Sequence, residues 1–307
     1  MSLLERVDNI YTIDAKMFGL DRYNAAYIVA GKEIALIDTG LPSQLETVRA
    51  AIKAHGFSPG NISYIFVTHP EHSDHSGNVA PLLRENPQAS VYINPLAVEY
   101  ITHPEIERSL KKTQITPEMY AQSGDPEPVP PSRIKYLNDG DVFDLGDGEK
   151  LQVIFAPGHQ PAGIVILEEK NRGLFINDLV GNYFPDADAQ YPLNPYRSDH
   201  RQAIPSLQKL MDLPVDYLYM GHYGICENPK EVMVRAIANM QKLLDIGTMY
   251  VREGNPERIG AEMYEMILPE LEKLRRVRGE ELYRYASQHH IPSQMKLFTK
   301  FCQDNLK

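Results

Sequence analysis

Residues Val67 to Asn78 read Val-Thr-His-Pro-Glu-His-Ser-Asp-His-Ser-Gly-Asn, and they continue the apolar run Ile62 to Val67, ISYIFV. That run has the length and β-branched character of a buried strand, and the spacing predicts a helix from about His75 to Glu85. His69, Glu71, His72, Asp74 and His75 therefore fall within seven residues, between a strand end and a helix start. Only ten histidines occur in 307 residues, so three in one loop exceed what a solvated turn needs. Imidazoles and carboxylates are the side chains that hold divalent cations. A helix cannot present all five on one side, whereas a tight loop can.

Three single residues farther along support this cluster. His159 follows the strand-like run Lys150 to Phe155, Asp178 ends the apolar run Leu174 to Asp178, and His222 follows Val215 to Met220. Each is a ligand-type residue at a strand terminus, where a layered sheet fold gathers its site.

The rest of the chain frames these segments. Lys and Arg number 31 and Asp and Glu 41, a formal charge of −10, with 43% hydrophobic and 23% charged residues, a mix that supports a large folded core. Residues 1–227 carry 18 basic and 30 acidic residues, a poor basis for binding a phosphate backbone, so nucleic acid is not expected as a partner. Cys226 and Cys302 cannot form a disulfide framework, so a reducing, cytoplasmic setting is expected. Residues 1–20 have scattered charges and no apolar core, so neither a secretory signal nor a membrane span is expected. Residues 123–132, SGDPEPVPPS, hold four prolines and read as an extended surface segment. Beyond Asn228 the apolar residues Met233, Ala236, Ile237, Met240, Leu243 and Leu244 follow helical spacing, and helices are expected to the end of the chain.

In this order, ALIDTG (Ala35 to Gly40), the Thr68 to His75 loop, His159, Asp178 and His222 resemble the motifs of the metallo-β-lactamase superfamily. The resemblance covers about residues 5–227. It implies an α/β (α+β) αββα sandwich as the catalytic domain, residues 1–227, followed by a helical extension, 228–307, serving as a lid or in dimerisation. It also implies two divalent metal ions, zinc first and iron or manganese as alternatives. His69, His72 and His159 would hold one ion. Asp74, His75 and His222 would hold the other, with Asp178 bridging and Asp38 as a structural acid behind them. A metal-bridging hydroxide, oriented by Asp74 as catalytic residue, would attack an ester, thioester or lactone carbonyl of a small-molecule substrate.

One spacing departs from the family pattern, which places its second ligand two positions after the first. Counting forward from His69 selects Glu71, and counting back from Asp74 selects His72. His72 is preferred because helix entry fixes the Asp74–His75 end. The His-x-Glu spacing, with PLLRENPQASVYI (81–93) and LFINDLVGNYF (174–184), is also similar to the di-iron domain of flavodiiron proteins. That resemblance implies an oxygen- or nitric-oxide-reacting protein. The helical C-terminal pattern lacks a flavodoxin-like phosphate loop, and PGHQPAG (157–163) looks more like the hydrolase branch, so a hydrolase is the leading expectation. A metal-binding non-enzyme is the third reading.

The aromatic loop after Asp178 offers Tyr183 and Phe184, and Tyr223 adjoins His222. These are the candidate substrate contacts, with simple packing as the competing reading. His55 reads as a helix C-cap. His103, His200, His289 and His290 read as surface residues, and KLRRVR (273–278) as a solvated helix face. Cys226 lies four residues after His222, with no base arranged to activate it.

Overall fold

The computed structural model describes residues 4–70, 73–114, 117–193 and 197–306. Two sheets face each other. The first has seven strands in chain order: β1 (Arg6–Val7), β2 (Ile10–Asp14), β3 (Ala25–Ala30), β4 (Ile34–Ile37), β5 (Ile62–Val67), β6 (Ser90–Ile93) and β7 (Ile134–Tyr136). It is antiparallel up to β4 and parallel from β4 to β7. The second sheet uses β8 (Val142–Gly146), β9 (Glu149–Phe155), β10 (Ile164–Glu168), β11 (Gly173–Asn177), β14 (Tyr217–Met220) and β15 (Ile225–Cys226), in the order β15-β14-β11-β10-β9-β8. A small hairpin, β12 (Asn182–Phe184) with β13 (Ala189–Tyr191), lies in the aromatic segment after Asp178.

Period-two alternation sorts the side chains into layers. In β3, Ala25, Tyr27 and Val29 face the second sheet, where they meet Val153, Ile166, Phe175 and Tyr219. Ala26 and Ile28 face outward onto α1 (Leu45–Ala54) and α2 (Val79–Glu85) through Val48, Ile52, Leu82 and Leu83. The outer face of the second sheet, with Leu174, Ile176 and Leu218, is covered by α6 (His200–Leu210) and α7 (Pro229–Arg252). The result is the expected αββα sandwich. Three short helices, α3 (Val98–Thr102), α4 (Pro104–Gln114) and α5 (Pro117–Ser123), lie between β6 and β7.

Three helices follow α7: α8 (Ile259–Arg278), α9 (Glu280–Tyr285) and α10 (Ile291–Asn305), with a π-helical turn over Ala286–His290. Their core, including Ile267, Leu271, Leu274, Ile291 and Phe298, also takes in Met17, Leu20, Tyr23 and Leu41 from the loops of the first sheet. None of the described helices is long and apolar enough to cross a membrane.

The helix expected from His75 begins only at Val79. The His75 carbonyl accepts from the Thr39 amide at 2.9 Å and the Thr39 hydroxyl at 3.2 Å, so this backbone is bound to the β4 loop rather than to a helical turn. The sequence pattern predicts no strand at β7, β8 or β15. β7 and β8 are short edge strands with mixed exposure, and edge positions lack the apolar alternation that marks a half-buried strand.

Candidate metal centre

Strands β4, β5, β9, β11 and β14 all end at one edge of the sandwich. β4 and β5 run parallel, and β9 is antiparallel to β10, which is antiparallel to β11, so β9, β11 and β14 also share a direction. Cross-sheet hydrogen bonds lock this edge, from Ile164 N to the Thr68 carbonyl (3.0 Å), Ala25 N to the Gly221 carbonyl (2.8 Å) and the Tyr27 hydroxyl to the Met220 carbonyl (2.7 Å).

Six predicted side chains converge there. Asp178 Oδ2 lies 3.6 Å from His69 Nε2, 3.6 Å from His159 Nε2, 3.5 Å from His75 Nε2 and 3.2 Å from His222 Nε2. Asp74 Oδ2 lies 3.7 Å from His75 Nε2 and 3.8 Å from His222 Nε2. Two groups result, His69–His159–Asp178 and Asp74–His75–Asp178–His222, each with its ligand atoms within 4.8 Å of one another and both sharing Asp178. Glu71 and His72 lie outside the described residues.

The imidazoles are oriented from behind. The His75 Nδ1–H donates to Asp38 Oδ2 at 2.9 Å, and Asp38 also accepts from Thr68 N (2.8 Å) and Thr68 Oγ1 (2.7 Å). With the Thr68 hydroxyl proton so used, His69 Nδ1–H faces Thr68 Oγ1 at 3.2 Å. His222 Nδ1–H donates to the Tyr23 carbonyl. Each bond fixes the proton on Nδ1 and leaves the Nε2 lone pair toward Asp178, the arrangement a metal-binding histidine requires. The turns carrying these groups hold non-glycine residues in left-handed backbone: Asp38 (φ 62°), Ser73 (φ 60°), Asn177 (φ 50°) and Tyr223 (φ 65°). Such conformations cost energy and persist where surrounding contacts enforce them.

The donor set fits divalent cations on two further observations. His75 Nε2 and Asp74 Oδ1 are buried without a hydrogen-bond partner among the described residues. A Cβ at Gly221 would fall 2.5 Å from Asp178 Oδ1 and 2.6 Å from His75 Cε1, so the backbone yields that space to the cluster. Electrostatics divide the four imidazoles into two kinds. Burial pushes His69 well down and His159 down to about 4, keeping both neutral. Burial also disfavours charge on His75 and His222, but the carboxylates outweigh it, led by Asp74 at His75 and by Asp178 at His222, and raise both. Asp178 is held well below the usual carboxylate range, its burial outweighed by His222 and His75.

Above the cluster is a cavity of about 80 Å³. Met17, Phe18, Leu41, Met119 and Leu193 form apolar walls, and Tyr23, Tyr285, His290, Ser293 and Gln294 bring polar groups. The three expected substrate contacts do not line it. The Phe184 and Tyr223 rings meet at 3.7 Å between centres, tilted by 37°, in the core shared with the C-terminal helices, and Tyr183 packs on the α6–α7 side of the second sheet. Tyr183 and Phe184 are carried by the β12–β13 hairpin, and Tyr223 by the turn between β14 and β15. His290, expected at the surface, lines the cleft, and His200, also expected there, is buried and stacks on Phe298. His55 does cap α1, and its Nε2 bonds the Thr12 carbonyl at 2.9 Å. Cys226 is buried in β15, where burial pushes its thiol up to about 11. In KLRRVR, Lys273 pairs with Glu270, Arg275 with Glu280 and Arg278 with Asp186, so these charges are matched within the chain. Sequence reasoning missed Tyr23, Tyr285 and His290, whose only local signal is aromatic character.

The sequence profile described as the metallo-beta-lactamase superfamily matches residues 19–222. The fold is similar to a metallo-beta-lactamase family protein of Thermus thermophilus (TM-score 0.64, 19% identity, 88% of this chain and 94% of that one). It is also similar to an archaeal metallo-beta-lactamase superfamily protein of Sulfolobus tokodaii (TM-score 0.61, 21% identity, 77% and 86%). Among curated proteins, a diflavin flavoprotein A 1 of Synechocystis sp. is 26% identical over 189 residues, 60% of this chain. A beta-lactamase-like protein 2 homolog of Caenorhabditis elegans is 25% identical over 226 residues, 73% of this chain and 64% of that one. The chain spans only 25% to 33% of the length of the diflavin relatives it matches.

Proposed function

The chain belongs to the metallo-beta-lactamase superfamily, and from that premise we propose that it is a dinuclear metal-dependent hydrolase attacking an ester, thioester or lactone carbonyl. The observation that carries the reading is the pair of His/Asp groups meeting at one carboxylate, Asp178. His69 and His159, with His72 from the loop, would hold one cation, and Asp74, His75 and His222 the other, with Asp178 serving both. Zinc is the proposed metal, with iron or manganese as alternatives. When bound, such cations supply Lewis acidity and lower the pKa of water toward neutrality.

The chain's own side chains do the rest. Asp74 turns Oδ2 to His75 and His222, and its buried Oδ1 is left to accept a hydrogen bond from the attacking water and aim its lone pair. Asp38 and the Tyr23 carbonyl hold His75 and His222 in register. The apolar walls keep bulk water from the reacting groups. The buried free thiols Cys226 and Cys302 support a cytoplasmic setting as part of the same proposal.

A second reading, a di-iron oxygen- or nitric-oxide-reacting protein, draws support from the diflavin relatives and from Glu71 two positions after His69. Metal analysis and absorption spectra of wild type, Glu71→Gln and His72→Ala, purified without chelator, separate the two. About two zinc per chain, reduced by His72→Ala but not by Glu71→Gln, together with ester, thioester or lactone hydrolysis, is the expected result. About two iron with a visible band that depends on Glu71 would establish the second reading instead. Full metal occupancy with no turnover of either kind would mark a metal-binding non-enzyme.

A further inference from the structure

We propose that the C-terminal helices complete the active site, with Tyr285 and His290 binding the oxygen-bearing end of a small, uncharged acyl substrate. The inference rests on the hydrolase reading and assigns its substrate contacts. Tyr285, His290, Gln294 and Leu297 line the same cavity as His69, Asp74 and Asp178, although more than 60 residues separate them from His222 in the chain.

The local helix geometry explains how they reach it. In an α-helix, 3.6 residues per turn would set positions 285 and 290 about 140° apart. The π-helical turn over Ala286–His290 bonds i to i+5 and brings residues five apart nearly into line. His290, Gln294 and Leu297 then continue one face of α10 at spacings of four and three. Single π turns recur at functional sites, and Pro292, just beyond this one, lacks the N–H that an α turn would bond to Gln288.

Tyr23 joins this segment to the metal cluster. Its hydroxyl lies 3.3 Å from His290 Nδ1, its ring meets Tyr285 edge-on at 5.1 Å, and its carbonyl accepts from His222. The Tyr285 hydroxyl is buried, accepts from the neighbouring Tyr23 hydroxyl with its own proton left over, and lies close enough to Asp74 to feel its charge. Burial pushes the Tyr285 pKa far up, so the phenol stays neutral and can donate to a substrate oxygen. No lysine or arginine lines the cavity among the described residues, so nothing there selects a multiply charged anion.

The test uses the full-length, zinc-loaded protein and the variants Tyr285→Phe, His290→Gln and Leu297→Ala, each checked for zinc content and melting temperature. The substrates are p-nitrophenyl butyrate, S-phenyl thiobutyrate, γ-butyrolactone and, as a charged comparison, bis(p-nitrophenyl) phosphate. Binding of butyrate, the product acid, is measured separately by calorimetry. The expected result is that Tyr285→Phe and His290→Gln each lower kcat/KM for the butyryl compounds by about tenfold or more and weaken butyrate binding similarly, with zinc unchanged. Leu297→Ala is expected to raise KM alone. Butyryl hydrolysis unchanged in both polar variants would overturn the inference while leaving the hydrolase reading intact. An inactive wild type with full zinc would sink the hydrolase reading, and the butyrate titration would still judge the contacts. Equal butyrate affinity in wild type and variants, or none in wild type, rejects them.

Discussion

Asp38 shows how one residue behind the cluster sets the chemistry in front of it. Its carboxylate is buried, sits on left-handed backbone and accepts from His75 Nδ1, Thr68 N and Thr68 Oγ1. Asparagine would keep the shape but replace one acceptor oxygen by an NH2 donor, so at least one of these bonds must fail. Asp38→Asn is expected to weaken zinc binding on the His75 side by about 10- to 100-fold. Competition against a chromogenic chelator would then show one zinc per chain leaving early, and two sites as tight as in wild type would show that His75 needs no carboxylate behind it. The candidate ligands are legible in the sequence because each is a polar residue placed just after an apolar run, a pattern with few structural reasons to occur. Tyr23, Tyr285 and His290 carry no such mark. An aromatic on a helix is equally at home in a core, and only the packing of distant segments reveals which way it faces.

At the scale of strands, the ends of the sandwich opposite the metal edge carry their own electrostatics. Glu149 begins β9 and Glu168 ends β10, and both are buried where the two strands meet Asn9. Asn9 Nδ2 donates to Glu149 Oε2 at 2.6 Å, and Asn171 N donates to Glu168 Oε1 at 2.8 Å. Lys170, paired with Asp8, and the buried Tyr219 complete the surroundings. Burial, reinforced by Glu168, pushes Glu149 up to about 7, and Glu168 is raised as well. The folded state therefore holds a proton that the unfolded chain releases near 4.5. Stability from this group is present below about pH 4.5 and is lost as pH rises toward 7, the reverse of an ion-paired carboxylate. Glu149→Gln keeps a neutral hydrogen-bonding group at all pH values. Its melting temperature is expected to match wild type near pH 4.5 and to exceed it by several degrees at pH 8. A difference that does not grow with pH would show that the pair carries no shared proton. The long buried strands β3, β5 and β9 are readable from alternation and apolar content. The edge strands β7 and β8 and the β12–β13 hairpin are not, because their stability comes from neighbours rather than from their own sequence.

For the whole molecule, the question is where the sandwich stops needing the rest of the chain. The change of character at Asn228 suggests a division between residues 1–227 and 228–307, yet α7 is physically a layer of the sandwich. Its residues Val232, Met233, Ala236 and Met240 cover Leu174, Ile176 and Leu218 of the second sheet. Burying each larger apolar side chain contributes about 1.5–3 kcal/mol. Losing that layer would remove a sum comparable with the roughly 5–15 kcal/mol that holds a domain folded. Helices α8, α9 and α10 pack on loops, on the β12–β13 hairpin and on the far half of α7, through Tyr23, Leu41, Phe184, Tyr191, Tyr223, Leu243 and Tyr250. We propose that the sandwich takes in α7 as its outer layer, with the division of the chain near Gly254. A chain ending at Gly254 is expected to melt cooperatively and bind zinc, while one ending at Glu227 is expected to lose its cooperative transition in circular dichroism. If the shorter chain melts as sharply as the longer one, α7 is dispensable and the division at 228 stands. If both melt broadly, the C-terminal helices are part of a single folding unit, and the roof over the metal edge cannot be removed without the floor.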